Sequence, residues 1–145
     1  MLTINIDGAS RGNPGPSGIG LVISRDGKNI VEHKEFVGNI TNNLAEYMAL
    51  KEALIIATTL TPKDEEIAIL SDSELVVKQR NLSFKVRSKQ LKVIFREINN
   101  LEKHFKCVYY THVPRENNLA ADLLANEAID EYVLNSDQSN KNRQL

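Results

Sequence analysis

A chain of 145 residues is the size of one compact domain and long enough to bury a core. Its 41% hydrophobic and 26% charged residues are those of an ordinary soluble globular protein, its apolar runs are far too short to cross a bilayer, and Met1-Leu2-Thr3-Ile4-Asn5 does not read as a secretory signal. The single Cys107 excludes an internal disulfide and a cysteine-built zinc site, so a reducing, cytoplasmic setting is expected, while the net charge of −1 excludes little because it averages over an uneven chain.

In chain order, Leu2 to Asp7 alternates apolar and polar residues and is predicted to be a strand. The stretch from Gly8 to Gly18 is too rich in Gly and Pro for a regular element. Ile19–Ser24 and Ile30–Val37 are two further strands, joined at Asp26-Gly27, a strong hairpin signal. From Leu44 to Leu60 the period becomes helical, with Met48, Leu50, Leu54 and Ile55 among its apolar residues, and Pro62 ends it. Ile67 to Leu70 is a short apolar strand of the kind buried on both faces, and a brief helix follows from Ser73 to Gln79. Ser88 to Phe105 is an amphipathic helix lined by Leu91, Ile94, Ile98, Leu101 and Phe105. Cys107 to Val113 forms a fifth strand, and Asn118 to about Val133 a last helix. Residues 135–145 are polar until the final Leu145 and read as a disordered tail. The expected fold is α/β: one domain over residues 1–134, with a five-stranded mixed sheet, three strands antiparallel and then two parallel, flanked by helices.

The charge is unevenly placed. Between Arg80 and Lys106 eight bases face only Glu97 and Glu102. Such a stretch is either a phosphate-binding surface or a solvated helix face with long side chains.

Four acids stand at informative places. Asp7 ends the first strand and Asp72 follows the fourth; if those strands are parallel neighbours, both carboxylates leave the sheet at the edge where α/β folds hold ligands. Glu46 and Asp122 lie near the starts of two helices and can join them. Together they would repel one another without a cation, and hard divalent ions favour such oxygen donors. Each acid also has a plainer explanation. Asn43…Glu46 and Ser71…Glu74 fit helix caps, Asp122 fits a helix dipole, and Asp7 a polar strand end.

The motifs around these acids resemble those of type 1 ribonucleases H. Asp7-Gly8-Ala9-Ser10-Arg11-Gly12-Asn13-Pro14-Gly15 is similar to the family's Asp-Gly…Gly-Asn-Pro-Gly opening, and Thr41-Asn42-Asn43-Leu44-Ala45-Glu46 to its Thr-Asn-Asn-x-x-Glu helix start. Ser71-Asp72-Ser73 and Asn118-Leu119-Ala120-Ala121-Asp122-Leu123-Leu124-Ala125 are similar to its third and fourth motifs, in the family's order. The resemblance implies a ribonuclease H-like fold and an endonuclease that hydrolyses the RNA strand of RNA–DNA hybrids, acting as a monomer. Asp7, Glu46, Asp72 and Asp122 would hold two Mg²⁺ or Mn²⁺ ions for in-line attack of water, with 5′-phosphate and 3′-hydroxyl products. Asn13, Asn42 and Asn43, with the backbone at Gly8, would face the substrate and read its 2′-hydroxyl.

The chain departs from the family pattern in three places. His112 is suitably spaced before Asp122 for a proton-handling role, yet Val113-Pro114-Arg115-Glu116-Asn117 contains no glycine, and Arg115 is an equal candidate for the helper at the phosphate. Glu74 occupies a position where many members have glutamine. The family's Trp-containing basic protrusion is missing, with only Asn81 to Arg87 in its place, and Lys85, Arg87 and Lys89 offer a smaller phosphate grip. Two rival functions stay open: a related nuclease with another nucleic-acid substrate, and a non-catalytic nucleic-acid-binding module.

Overall fold

The structure, a computed structural model, describes residues 1–81 and 88–143. Three strands, β1 (Leu2–Ser10), β2 (Gly15–Arg25) and β3 (Lys28–Ile40), form an antiparallel meander. The β2–β3 turn works because Asp26 and Gly27 both take positive φ, 52° and 79°, which lets a two-residue turn follow the strand twist. Next come α1 (Asn42–Leu60), β4 (Glu66–Ser71), α2 (Glu74–Asn81), α3 (Lys89–Glu102), β5 (Cys107–His112), a 3-10 turn (Arg115–Asn117) and α4 (Leu119–Arg143). The sheet order is β3-β2-β1-β4-β5, with β4 parallel to both β1 and β5. This is the expected mixed sheet.

Alternation along the strands divides the molecule into two layers around the sheet. Ile4 and Ile6 of β1, Ile19 and Leu21 of β2, and Ile67 and Ile69 of β4 are buried in one core with Tyr47, Leu50 and Leu54 of α1. Helix α3 joins this layer through Ile94 and Ile98, and Phe95 meets the Tyr47 ring edge-on at 4.7 Å. The other layer is α4. It lies so close to β2 that a Cβ on Gly20 would sit 2.2 Å from the Ala121 carbonyl oxygen, and one on Gly18 2.3 Å from that of Ala125. Small residues on both sides therefore set the depth of α4.

Several expectations need correcting. Strands β1 and β2 run into the Gly-rich stretch, where Ala9 pairs with Gly18 and Ser10 with Ser17, because the glycines serve close packing against helices as well as turning. Helix α1 is capped by Thr41, whose hydroxyl accepts from the Leu44 amide at 3.3 Å, so Asn43 is not the cap. Ser73, not Ser71, caps α2 by accepting from the Val76 amide at 3.3 Å. Helix α3 ends at Glu102 rather than Phe105. Finally, α4 does not stop near Val133 ahead of an unstructured tail but continues to Arg143, since residues 134–143 contain neither Gly nor Pro to break it. Among the described residues, no helix is long and apolar enough to cross a membrane.

Candidate active site

The register of the parallel strands brings the acids together. Ile6 pairs with Ser71 and Ser71 with His112, so Asp7 and Asp72 each stand one residue beyond, side by side at the carboxyl edge of the sheet. Asp7 pairs with Gly20, and through that gap its face of β1 meets α4, which carries Asp122. The next residue, Gly8, turns to the opposite face. A Cβ there would lie 2.3 Å from the Ala45 carbonyl carbon and 2.4 Å from the Glu46 amide nitrogen, so only glycine lets the first turns of α1 come this close. Adjacent residues of one strand thus dock Asp122 from one layer and Glu46 from the other.

All four acids line an open cleft of about 500 Å³, which also includes Gly8, Asn42, Asn43, Glu74 and Arg115. Asp7 is only 8% exposed. Burial, then the Asp72 charge, a side-chain hydrogen bond with Asp122, and the charges of Asp122 and Glu46 push its carboxyl up to about 8. Burial also pushes Glu46 up to about 7, against a hydrogen bond from Ser73 that lowers it, with the Asp72 charge adding to the rise. An all-oxygen set that resists ionising alone fits a hard divalent cation. The carboxylates line the cleft loosely: among the described residues, the only three metal-ligating side chains with ligand atoms all within 4.8 Å of one another are His33, Glu35 and Glu52, outside this cleft.

Around the acids, Arg115 Nη2 lies 3.8 Å from an Asp122 carboxylate oxygen, and Asn126 Nδ2 donates to Asp122 Oδ1 at 3.2 Å. Exposed His112 closes β5 outside the cleft lining; its charge helps, after the Lys78 ion pair, to hold Glu74 below the usual carboxylate range. The Glu74–Lys78 pair, at 2.7 Å, spans one helical turn, so Glu74 does not face the cleft as an uncompensated charge.

The asparagines form a second feature beside the acids. Asn13 Oδ1 accepts from the Asn42 amide at 2.9 Å, and Asn42 Oδ1 accepts from the Ser10 amide at 2.8 Å. Their carbonyl oxygens lock the Gly-rich turn to the start of α1, and among the described residues neither Nδ2 has a partner. An adjoining groove of about 390 Å³ runs from Asn13, Asn42 and Asn43 to Ser88 and Gln90, so Lys89 sits at the near end of α3. Lys85 and Arg87, with the rest of the link after Asn81, lie outside the described residues.

In the sequence Arg80 counts among the eight bases of the stretch that ends at Lys106. Its side chain is 8% exposed and paired with Glu102, under the Phe95 and Tyr110 rings. No role was read from the sequence for Ser73, which hydrogen-bonds Glu46, or for Asn118, which is 2% exposed against Asp72. The only sequence signal for Asn118 was its place at the head of the fourth motif.

Residues 5–128 match the protein family described as "Reverse transcriptase-like". The bifunctional protein Rv2228c of Mycobacterium tuberculosis is 40% identical over 131 residues, which are 89% of this chain and 35% of that protein. Ribonuclease HI of Halobacterium salinarum is 42% identical over 126 residues, 86% of this chain and 62% of the relative. The chain therefore spans roughly one to two thirds of the length of these relatives. The crystal structure of LC11-RNase H1 in complex with RNA/DNA hybrid superposes with a TM-score of 0.86 at 39% identity, covering 92% of this chain and 99% of that one.

Proposed function

The chain belongs to the type 1 ribonuclease H family, and on that premise we propose that it is an endoribonuclease that hydrolyses the RNA strand of RNA–DNA hybrids and leaves 5′-phosphate and 3′-hydroxyl ends. The observation that carries the reading is the meeting of Asp7, Glu46, Asp72 and Asp122 on one cleft, where burial, and after it the other three acids, keep Asp7 from ionising. Among the described residues, Ser73 is the one Ser or Cys that lines that cleft, its hydroxyl is engaged with Glu46 and no histidine lines the cleft beside it, and a set of carboxylates suits metal-assisted hydrolysis.

In this reading the four carboxylates would hold two Mg²⁺ or Mn²⁺ ions. Bound there, such ions lower the pKa of water and offset charge on the scissile phosphate and on the leaving 3′ oxygen. The chain's own groups do the rest. Asn13 and Asn42, with their oxygens already engaged, present Nδ2 donors to the sugar edge of the RNA strand, and a 2′-hydroxyl can accept them. Asn43 and the Gly8 backbone line the same approach. Lys89, with Lys85 and Arg87, grips phosphate without reading sequence. Arg115, already against Asp122, serves as the electrostatic helper at the phosphate, and His112, at the end of β5, remains the alternative for that role. The protein acts as a monomer in the cytoplasm.

The test is a substrate panel of end-labelled RNA–DNA hybrid, double-stranded DNA, double-stranded RNA and the single strands, each with Mg²⁺ or Mn²⁺ and with Asp7→Asn as control. Cleavage of the hybrid's RNA strand alone, lost in the variant, is the expected result. Cleavage of duplex DNA would point to a related nuclease, and binding without cleavage to a non-catalytic module; either outcome overturns the proposal.

A further inference from the structure

Asn118 is almost fully buried, and both ends of its amide are engaged. Its Nδ2 donates to the Ile6 carbonyl at 2.8 Å and reaches Asp72 Oδ1 at 3.4 Å, while its Oδ1 accepts from Asn5 Nδ2 at 3.1 Å. Its own carbonyl accepts from the Asp122 amide at 3.1 Å and so opens the first turn of α4. One residue therefore touches the peptide just before Asp7, the carboxylate of Asp72 and the backbone of Asp122.

We propose that Asn118 is a positioning residue that ties the Asp72 carboxylate to the backbone that carries Asp7 and Asp122, limiting how far these three acids can separate before divalent cations draw them together. The proposal rests on the metal-dependent reading above.

The chemistry explains why an amide is needed here. Ile6 offers a carbonyl and Asp72 a carboxylate, both acceptors, so the side chain must donate to each from one nitrogen. On its other side Asn5 offers a donor, so the same side chain must also accept. A carboxylate at 118 would face two acceptors and add a fifth negative charge to the cluster. An apolar residue would leave the Ile6 carbonyl buried without its partner. Four mutually repelling acids separate unless neighbouring groups restrain them, and partners one step removed from a metal commonly tune its binding about 10- to 100-fold.

The direct test is Mn²⁺ affinity of the full chain, measured by calorimetry without substrate, for the wild type and for Asn118→Ala, Asn5→Ala and Ile98→Ala. The last removes core volume from α3, which carries none of the acids, and controls for lost stability. Asn118→Ala is expected to weaken Mn²⁺ binding by about tenfold. Asn5→Ala should shift it less in the same direction, and Ile98→Ala should leave it unchanged. At saturating Mn²⁺, Asn118→Ala should lower kcat with little change in KM for the hybrid. Unaltered Mn²⁺ affinity in Asn118→Ala, or an equal loss in Ile98→Ala, would overturn the proposal. If Asn118→Ala does not fold, unaltered affinity in Asn5→Ala overturns it instead. A wild type that neither binds Mn²⁺ nor cleaves hybrid would sink the functional reading itself.

Discussion

At Asp7 the fold holds a proton that an unfolded chain would release. The carboxyl is pushed up to about 8 from an ordinary 3.8, so between those values the folded state binds a proton that the unfolded state has lost. Its contribution to stability is full below the unfolded value and falls away as the pH rises through the folded one. In EDTA, therefore, the melting temperature is expected to drop from pH 5 to pH 8. Asp7→Asn should flatten that dependence and raise the pH 8 melting temperature by about 5 °C while abolishing hydrolysis. Parallel melting profiles for the two proteins would contradict this. Mg²⁺ should restore stability to the wild type at pH 8 and do much less for the variant. At this scale the four acids and the Asn turns were legible in the sequence because their spacing follows the strand–helix succession. Asn118 and Arg80 were not. Nothing local separates a buried amide or a buried, Glu102-paired guanidinium from a solvated one.

Among the elements, α4 and α3 bear most on function. The Gly20 gap sets the depth of α4, and Asp122 rides on the turn beside it. Gly20→Ala should push the helix outward at a cost of about 2–3 kcal/mol. It should also raise the Mn²⁺ concentration needed for half-maximal activity, which a titration of hydrolysis rate would read. An unchanged requirement would mean that the position of Asp122 does not depend on this contact. On α3 and its C-cap, Lys89, Lys92, Arg96 and the capping Lys103 are exposed and fall three, four and seven residues apart, one stripe along the helix. The stripe begins beside the Asn-lined groove. Reversing charge with Lys92→Glu and Arg96→Glu should raise KM for the hybrid, leave kcat near that of the wild type, and lower the slope of log affinity against log salt by about 1 per lost phosphate contact. The helical period and the basic excess were readable in advance. What could not be read was how far β1 and β2 enter the Gly-rich stretch, because glycines that admit a neighbouring helix look in sequence like glycines that make a loop.

For the whole molecule, the mixed sheet explains why residues so distant in the chain act together. Parallel pairing of β1 with β4 sets Asp7 beside Asp72, and the two helical layers bring Glu46 and Asp122 to the same edge from opposite faces. The succession of elements already implied this arrangement. The extent of α4 was not implied, since a polar sequence without breakers supports a helix as readily as an open chain. The most direct measurement is the rate of RNA-strand hydrolysis in a hybrid with saturating Mg²⁺, for the wild type and for Asp7→Asn, Glu46→Gln, Asp72→Asn and Asp122→Asn, each shown to be folded by its melting transition. The expected result is a loss of about 100-fold or more in every variant, because each removes a charge from one shared site. Wild-type rates in the four folded variants would contradict the account.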